Sequence, residues 1–479
     1  MSFTVILLLL HGLVVVGFTL RILVRDDLSP PARLAWFVVI NVLPYAGSAV
    51  YFLFGEIDLG HRASARHDEV FDEIRRHAGE HMGTAQNTPQ LIDPLYQTAF
   101  RYAASINGFH PVPGNRAMLM ADAMETNRSL VADIDAAADR VHVLYYIWLD
   151  DETGTQVAEA LIRAAGRGVL CRAIADALGS RALIRSPLWA RMKAAGVQMA
   201  VALPLDRPLR TLLTSRIDLR NHRKITVIDG RITYCGSRNA ADPEFRVKSK
   251  YAPWIDIMLR FEGPVVAQNE LLFMSDWMQT TGEALDPGTM RADPIEDGFP
   301  AQVMGDGPTE RRGATPQLFA SLIASAQDRL TLTTPYFVPD ATVLEALCSA
   351  AHRGVVVTLI FPRRNDSWIV AAASRSYYRR LLTAGCRIYE FRGGLLHAKT
   401  LTIDGLVTLV GSSNVDLRSF DLNYENNILL QDADMTAQVI ERQQSYLASA
   451  KHVTPEKVRS WPYRRRIWNN VIATIGPIL

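Results

Sequence analysis

A nine-residue motif occurs twice in this chain, and no other feature limits its possible folds as strongly. His222-Arg-Lys224-Ile-Thr-Val-Ile-Asp229-Gly230 and His397-Ala-Lys399-Thr-Leu-Thr-Ile-Asp404-Gly405 both read H-x-K-x-x-x-x-D-G. Each is followed by a Gly-Ser step and an asparagine, Gly236-Ser237-Arg238-Asn239 and Gly411-Ser412-Ser413-Asn414, with the asparagine 17 positions after the histidine in both copies. One occurrence would be a weak signal; two with matched trailing residues imply that the flanking chain repeats as well. Val141 to Trp148 and Leu330 to Phe337 read as strands, each followed by a helical stretch ending at Arg-Gly-Val and by a second apolar strand, Leu170 to Ala175 and Val356 to Phe361. Strand, helix ending at glycine, strand is a βαβ unit. The prediction is an α/β protein whose two repeats pack as a pseudo-dimer.

Strand geometry gives the motif its chemistry. Side chains alternate with period two, so His222 and Lys224 share one face, as do His397 and Lys399, while Ile225 and Val227 point the other way into a core. Asp229-Gly230 and Asp404-Gly405 are tight-turn dipeptides, and the return strand of each hairpin brings back the serine and asparagine. The two aspartates read either as turn-stabilising groups or as catalytic ones, and both stand among the candidate catalytic residues with His222, Lys224, His397 and Lys399. Two such sets suit a phosphodiester, which can be split by a nucleophile forming a covalent phospho-enzyme while a second group protonates the leaving alcohol. Imidazole does both jobs near neutral pH, with an unperturbed pKa of about 6.5. Lys224, Lys399, Asn239, Asn414, Ser237 and Ser412 form the candidate phosphate-binding set for the transition-state oxygens. This chemistry calls for no metal and no cofactor. A pair of buried core histidines would not explain the accompanying lysine, serine and asparagine twice over. Catalytic histidines need a carboxylate to fix their tautomer. Asp256 and Glu425 lie in strand-like apolar settings where an acid needs a partner; the expectation is that Glu425 orients His397 and Asp256 orients His222.

Composition narrows the setting. Lysine and arginine number 51 against 49 acidic residues, a formal net charge of +2, which argues against a bulk nucleic-acid binder. Cys171, Cys235, Cys348 and Cys386 lie far apart in apolar runs and read as buried free thiols, which fits a reducing compartment. Two apolar segments open the chain, Ser2 to Leu20 and Leu34 to Phe54, separated by the polar turn Arg21 to Arg33. The first lacks a basic n-region and a clear cleavage site, and a second follows at once, so a retained transmembrane helical hairpin over residues 1–56 is preferred to a signal peptide. The remainder divides into a connector (57–114), a first α/β domain (115–288) and a second with a basic tail (289–479), expected on the cytoplasmic side of the membrane. Leu203 to Arg216, with leucines interleaved with Arg207 and Arg210, and the tail Arg464-Arg465-Arg466-Ile467-Trp468 read either as interfacial amphipathic segments or as ordinary helices.

The paired motifs resemble the HKD motifs of the phospholipase D superfamily, over roughly residues 115 to 450. Finer features are similar to its bacterial cardiolipin synthase branch: Tyr145-Tyr146-Ile147-Trp148, Asp218-Leu219-Arg220-Asn221 before His222, Thr334-Pro335-Tyr336-Phe337, Gly393-Gly394-Leu395-Leu396 before His397, Asp416-Leu417-Arg418-Ser419, and the hairpin with Trp36, Pro44, Gly47 and Phe54-Gly55. Arg238 departs from the pattern, being large and charged where a small or apolar residue is more ordinary. The resemblance implies one active site between two repeats and a membrane enzyme whose substrate is the anionic phospholipid phosphatidylglycerol. Two such lipids would give cardiolipin and glycerol through a phosphatidyl-histidine, with His222 as nucleophile and His397 as acid, then base. A hydrolase using water as acceptor would employ the same residues. A superfamily nuclease and a non-catalytic membrane scaffold fit the hairpin and the two intact motifs less well.

Overall fold

The structure, a computed structural model, describes residues 3–26, 28, 30–55, 61–204, 218–287, 290 and 293–474. The first repeat supplies strands β1 (Val112–Leu119), β2 (Arg140–Tyr145), β3 (Leu170–Asp176), β4 (Gln198–Ala202), β5 (Arg220–Asn221), β6 (Lys224–Ile228), β7 (Ile232–Gly236), β8 (Trp254–Ile255) and β9 (Met258–Glu262). The second supplies β10 (Phe299–Asp306), β11 (Arg329–Thr333), β12 (Phe337–Val338), β13 (Val356–Pro362), β14 (Arg387–Phe391), β15 (Leu395–Leu396), β16 (Thr400–Ile403), β17 (Val407–Gly411), β18 (Val415–Asp416), β19 (Asn423–Gln431) and β20 (Ala450–Val453). Most join one mixed sheet in the order β4-β3-β2-β6-β7-β9-β1, then β10-β19-β17-β16-β11-β13-β14-β20. The second half mirrors the first across the antiparallel β1–β10 seam, where Val112 faces Ala301. The pseudo-dimer is thus a single sheet read outward from its middle.

Each half contains the expected βαβ unit. β2 and β3 are parallel and joined through helix Glu152–Gly166; β11 and β13 are parallel and joined through helix Ala341–His352. Asp151 and Asp340 cap these helices by accepting the N–H of Gly154 and Val343. Gly168 and Gly354 then turn the chain out at φ 89° and 94°, a conformation glycine takes without a Cβ penalty. The strands are buried on both faces because helices cover them, and all four cysteines are buried and free.

The motif hairpins are β6–β7 and β16–β17. Their turns hold Asp229 and Gly230 at φ 51° and 62°, and Asp404 and Gly405 at φ 52° and 73°, as a tight turn between right-twisted strands requires. Both carboxylates are fully occupied there. Asp229 accepts the N–H groups of Ala138, Asp139 and Arg140 at 2.8–2.9 Å. Asp404 accepts those of Gln327, Asp328 and Arg329 at 2.8–2.9 Å, and the Tyr96 hydroxyl at 3.0 Å. The catalytic reading of Asp229 and Asp404 is therefore corrected: five strand residues, about 16 Å, separate each from its lysine. They pin the start of β2 and β11 to the motif hairpin.

The N-terminal unit also departs from expectation. Among the described residues no helix is long and apolar enough to cross a membrane. After α1 (Phe3–Val24), the second apolar segment is not one span but α2 (Pro30–Val42), α3 (Pro44–Val50) and a π-helical turn, Tyr51–Gly55. The break falls at Leu43, whose φ of −129° and ψ of 67° are non-helical; Pro44 disfavours a helical residue before it and opens the next helix. Ile22, Leu28, Trp36, Ile40 and Tyr51 form a small core inside this unit, and Trp36 meets Tyr51 edge-on at 5.1 Å.

In the α/β body the described part of the expected connector, residues 61–114, is packed rather than a linker. Phe71 and Ile74 of α4 (His61–Ala78) enter the main core, and, past the short α5 (Asn87–Leu91), Phe100 and Ala103 of α6 (Gln97–Asn107) enter the second repeat's core. From residue 205 on, the segment expected to be amphipathic lies outside the described residues, as do the 288/289 boundary and residues 475–479.

Replacing Asp229 or Asp404 by alanine leaves three backbone donors without their carboxylate and puts alanine at positive φ. Each variant is expected to lose about 1–3 kcal/mol of stability, read as a lower denaturation midpoint. Activity per folded molecule should stay within about threefold; a loss like that of a catalytic histidine would return these aspartates to the chemistry.

Candidate active site

Two short parallel strand pairs assemble the site, and each crosses from one repeat to the other. β5 pairs with the start of β19, Arg220 facing Asn423 and Asn221 facing Tyr424; β15 pairs with β8, Leu395 facing Trp254 and Leu396 facing Ile255. The next residue continues both ladders, since the His222 N–H donates to the Tyr424 carbonyl at 2.9 Å and the His397 N–H to the Ile255 carbonyl at 2.8 Å. This register sets each histidine beside a carboxylate of the other repeat. His222 Nδ1 lies 2.8 Å from Glu425 Oε2, and His397 Nδ1 lies 2.6 Å from Asp256 Oδ1. The expected partners, Glu425 for His397 and Asp256 for His222, are exchanged.

The serines serve the carboxylates. Ser237 Oγ donates to Asp256 Oδ1 at 2.7 Å and accepts the Ile257 N–H at 3.0 Å. Ser412 Oγ donates to Glu425 Oε2 and accepts the Asn426 N–H at 2.9 Å. Their expected phosphate contact is thus replaced by a place one step back. Asn239 Oδ1 accepts the Ile147 N–H at 3.0 Å, leaving its amide donors available, whereas Asn414 Nδ2 donates to Ser419 Oγ at 3.0 Å. Lys399 Nζ donates to the carbonyl of His397 at 2.6 Å, and Lys224 Nζ to that of His222. An ammonium has three donors, so each lysine keeps others for a ligand. Tyr146 meets the His222 ring edge-on at 4.9 Å, and Trp254 leans on the His397 ring at 4.5 Å.

The histidines and lysines share one electrostatic environment. Burial, then the charges of Lys224, Lys399 and His397, hold the His222 imidazole well below its ordinary range. Burial and Lys399 push His397 down to about 4, with Asp256 opposing. Burial brings Lys224 down to about 7, and Lys399 works with it against Glu425; Lys399 is brought down to about 8, against the pull of Asp256. Two ammonium groups, both depressed by burial, make an anion site. The carboxylates differ. Burial raises Glu425 to about 7 despite Lys224 and the Ser412 and Asn423 hydrogen bonds. For Asp256 burial is outweighed by His397, Lys399 and Ser237, and the carboxyl stays well below the usual carboxylate range. Among the described residues no three His, Cys, Asp or Glu side chains are grouped as a metal site.

Arg223 was not among the sequence-derived candidates. It is buried, and its guanidinium donates to the Glu425 carbonyl at 3.1 Å, to Asp276 Oδ1 at 2.7 Å and to the Asp306 carbonyl at 3.2 Å. It thereby ties the His222 strand to the Glu425 strand, where the second copy has only Ala398. A charge on the face of β6 expected to enter the core is the signal that could have found it. Arg238, the departure from the family pattern, is buried and donates to Thr153 Oγ1 at 3.3 Å.

Residues 130–256 and 319–446 match a family model described as cardiolipin synthase, PLD-like domain, and residues 13–56 match that of the phospholipase D-nuclease N-terminal region. The chain is 36% identical to Cardiolipin synthase A of Yersinia pseudotuberculosis serotype O:1b (strain IP 31758), over 98% of this chain and 97% of that one. The same values hold for Cardiolipin synthase A of Yersinia pestis bv. Antiqua (strain Angola). A solved phosphatidylserine synthase of Haemophilus influenzae Rd KW20 shares the fold, with a TM-score of 0.60 at 14% identity over 80% of this chain and 100% of that one. The fold and the two matched domains are those of a phospholipase D-like protein. Within that class the chain belongs to the cardiolipin synthase family of phosphatidyltransferases.

The site predicts its own pH dependence. Below about 7 Glu425 takes up a proton and donates it to Nδ1 of His222, which leaves the ring proton on Nε2 and no lone pair there. Above about 7 Lys224 loses its charge, and above about 8 Lys399 loses its own. The kcat/KM profile should be bell-shaped with a narrow maximum near 7. Glu425→Gln should cost roughly 10²–10⁴-fold, and its residual activity should lack the acid limb; an acid limb unchanged in that variant would remove Glu425 from this role.

Proposed function

We propose that this chain condenses two phosphatidylglycerol molecules into cardiolipin and glycerol. The observation that carries the reading is the pair of crossed imidazole–carboxylate dyads around two depressed ammonium groups, in a chain similar over nearly its whole length to cardiolipin synthases. Each carboxylate occupies Nδ1 and leaves Nε2 to face the substrate. Lys224 and Lys399 take the non-bridging oxygens of the first lipid's phosphodiester, and the anion offsets the positive charge that keeps both imidazoles neutral.

The two dyads suit different roles. Glu425 is near its own titration point and supports a neutral His222 with a free Nε2 lone pair, the state a nucleophile needs. Asp256 stays ionised and stabilises a protonated His397, the state an acid needs. His222 Nε2 attacks phosphorus, the bond to the headgroup glycerol oxygen breaks, and His397 gives that oxygen its proton. The terminal hydroxyl of a second phosphatidylglycerol then attacks the phosphatidyl-histidine, its proton goes to His397 Nε2, and the P–N electron pair returns to His222. One phosphodiester replaces another, so no nucleotide is consumed.

Membrane association belongs to the same reading. The N-terminal unit exposes many large apolar side chains, with Leu13, Leu34 and Val42 each more than 60% exposed. In water such a surface would be costly; against acyl chains it is matched. Separately, the C-terminal helix Tyr463–Thr474 exposes Ile467, Trp468 and Val471 just after Arg464-Arg465-Arg466, the composition of an interfacial helix.

Purified full-length protein incubated with phosphatidylglycerol should yield cardiolipin and glycerol in equal amounts, and His222→Ala should abolish both while the protein remains folded. Phosphatidic acid without cardiolipin would identify a hydrolase instead.

A further inference from the structure

Transfer between two anionic lipids poses a problem that the dyads alone do not solve. One phosphorus occupies the lysines, yet the acceptor carries its own phosphate and must be held close by without displacing the first. The fold offers a second anion site beside His397. A cavity of about 290 Å³ is lined by Lys250, Arg363, Arg364 and Arg392, together with Tyr251, Ala252, Phe391 and Gly394, and by no acidic residue. None of its four cations is ion-paired or hydrogen-bonded through its side chain to an acid among the described residues. Their neighbours differ: Lys248 binds Asp366 at 2.6 Å and Arg375 lies 3.7 Å from Glu390. Four uncompensated cations around one concavity raise its potential and select an anion.

Three segments run from this cavity into the site. Gly394 lies three residues before His397, so their Cα atoms are within about 11 Å. Ala252 leads to Trp254, whose ring leans on His397, and to Asp256, its carboxylate partner. Arg364 leads to Asp366, which accepts the Tyr336 hydroxyl at 2.7 Å and whose charge reaches Lys399. The backbone closes this corner tightly: a Cβ at Gly394, at φ 125°, would stand 2.2 Å from the Pro253 carbonyl. All three approaches are on the His397 side, where the acceptor hydroxyl must surrender its proton.

The geometry points to the Lys250–Arg363–Arg364–Arg392 cavity as the acceptor-lipid site, which holds the phosphodiester of the second phosphatidylglycerol so that its glycerol hydroxyl reaches His397. The inference rests on the transferase reading and adds a division of labour: the lysines take the phosphate that reacts, the arginines the one that does not. Arginine suits the second task, since its fork holds a phosphodiester bidentately without needing to reorganise.

The test separates acceptors with and without a phosphate. Full-length protein in mixed micelles is assayed for cardiolipin formation from phosphatidylglycerol and, in parallel, for exchange of labelled glycerol into phosphatidylglycerol, which uses the same histidines and lysines but a small neutral acceptor. The variants are Arg363→Gln/Arg364→Gln and Arg392→Gln, all at exposed positions where substitution leaves folding intact. Cardiolipin formation should fall roughly tenfold or more, with a raised KM for phosphatidylglycerol as acceptor, while glycerol exchange stays within about twofold; Arg392→Lys should recover part of the loss. Unchanged cardiolipin formation, or equal loss of both activities at an unchanged unfolding midpoint, overturns the acceptor site. Absence of exchange and of cardiolipin in the unaltered protein would instead remove the transferase reading.

Discussion

An imidazole buried beside two ammonium groups is driven to be neutral, and a neutral imidazole can carry its proton on either nitrogen. The carboxylates at Nδ1 remove that ambiguity, and everything the site does follows from where they come from. Glu425 and Asp256 reach their histidines across the repeat boundary, carried there by two short parallel strand pairs in matching register. A single repeat would therefore hold a histidine, a lysine and a serine but not the acid that orients the ring. The site needs both halves because each half completes the other.

The rest of the sheet can be understood as support for those two strand pairs. The β1–β10 seam makes one sheet of the two repeats, and the Asp229 and Asp404 turns lock each motif hairpin to the strand beside it. Ser237 and Ser412 fix the carboxylates, and Arg223 fastens the His222 strand to the Glu425 backbone. The mirrored plan is broken where the roles diverge. Arg223 stands opposite Ala398, a glutamate opposite an aspartate, and Tyr146 against one ring where Trp254 covers the other. Near-symmetry supplies two of everything; in the proposed mechanism its defects let one histidine attack while the other carries the proton.

Much of this was legible in the sequence because it is local. Period two placed histidine and lysine on one face, the Asp-Gly steps announced the hairpins, and an acid in an apolar strand marked Glu425 and Asp256 as partners for something. What could not be read was set by distant register. The exchange of carboxylates depends on β5 meeting β19 and β8 meeting β15, pairings between segments 203 and 141 residues apart at the dyads. The serines show the same limit, since their spacing brought them to the site but not to a particular oxygen. At the N-terminus Pro44 is visible in the sequence, but a membrane-spanning helix can accommodate a proline, so its presence alone does not announce the break at Leu43, which leaves the helical region.

The crossed dyads can be observed directly in the imidazole nitrogens. In 15N spectra of the histidines of the full-length protein, Glu425→Gln should shift the ring signals of His222 and leave those of His397 in place, and Asp256→Asn should do the reverse. If each substitution instead moved the histidine of its own repeat, Asp256→Asn acting on His222 and Glu425→Gln on His397, the crossed assembly and the roles built on it would be wrong.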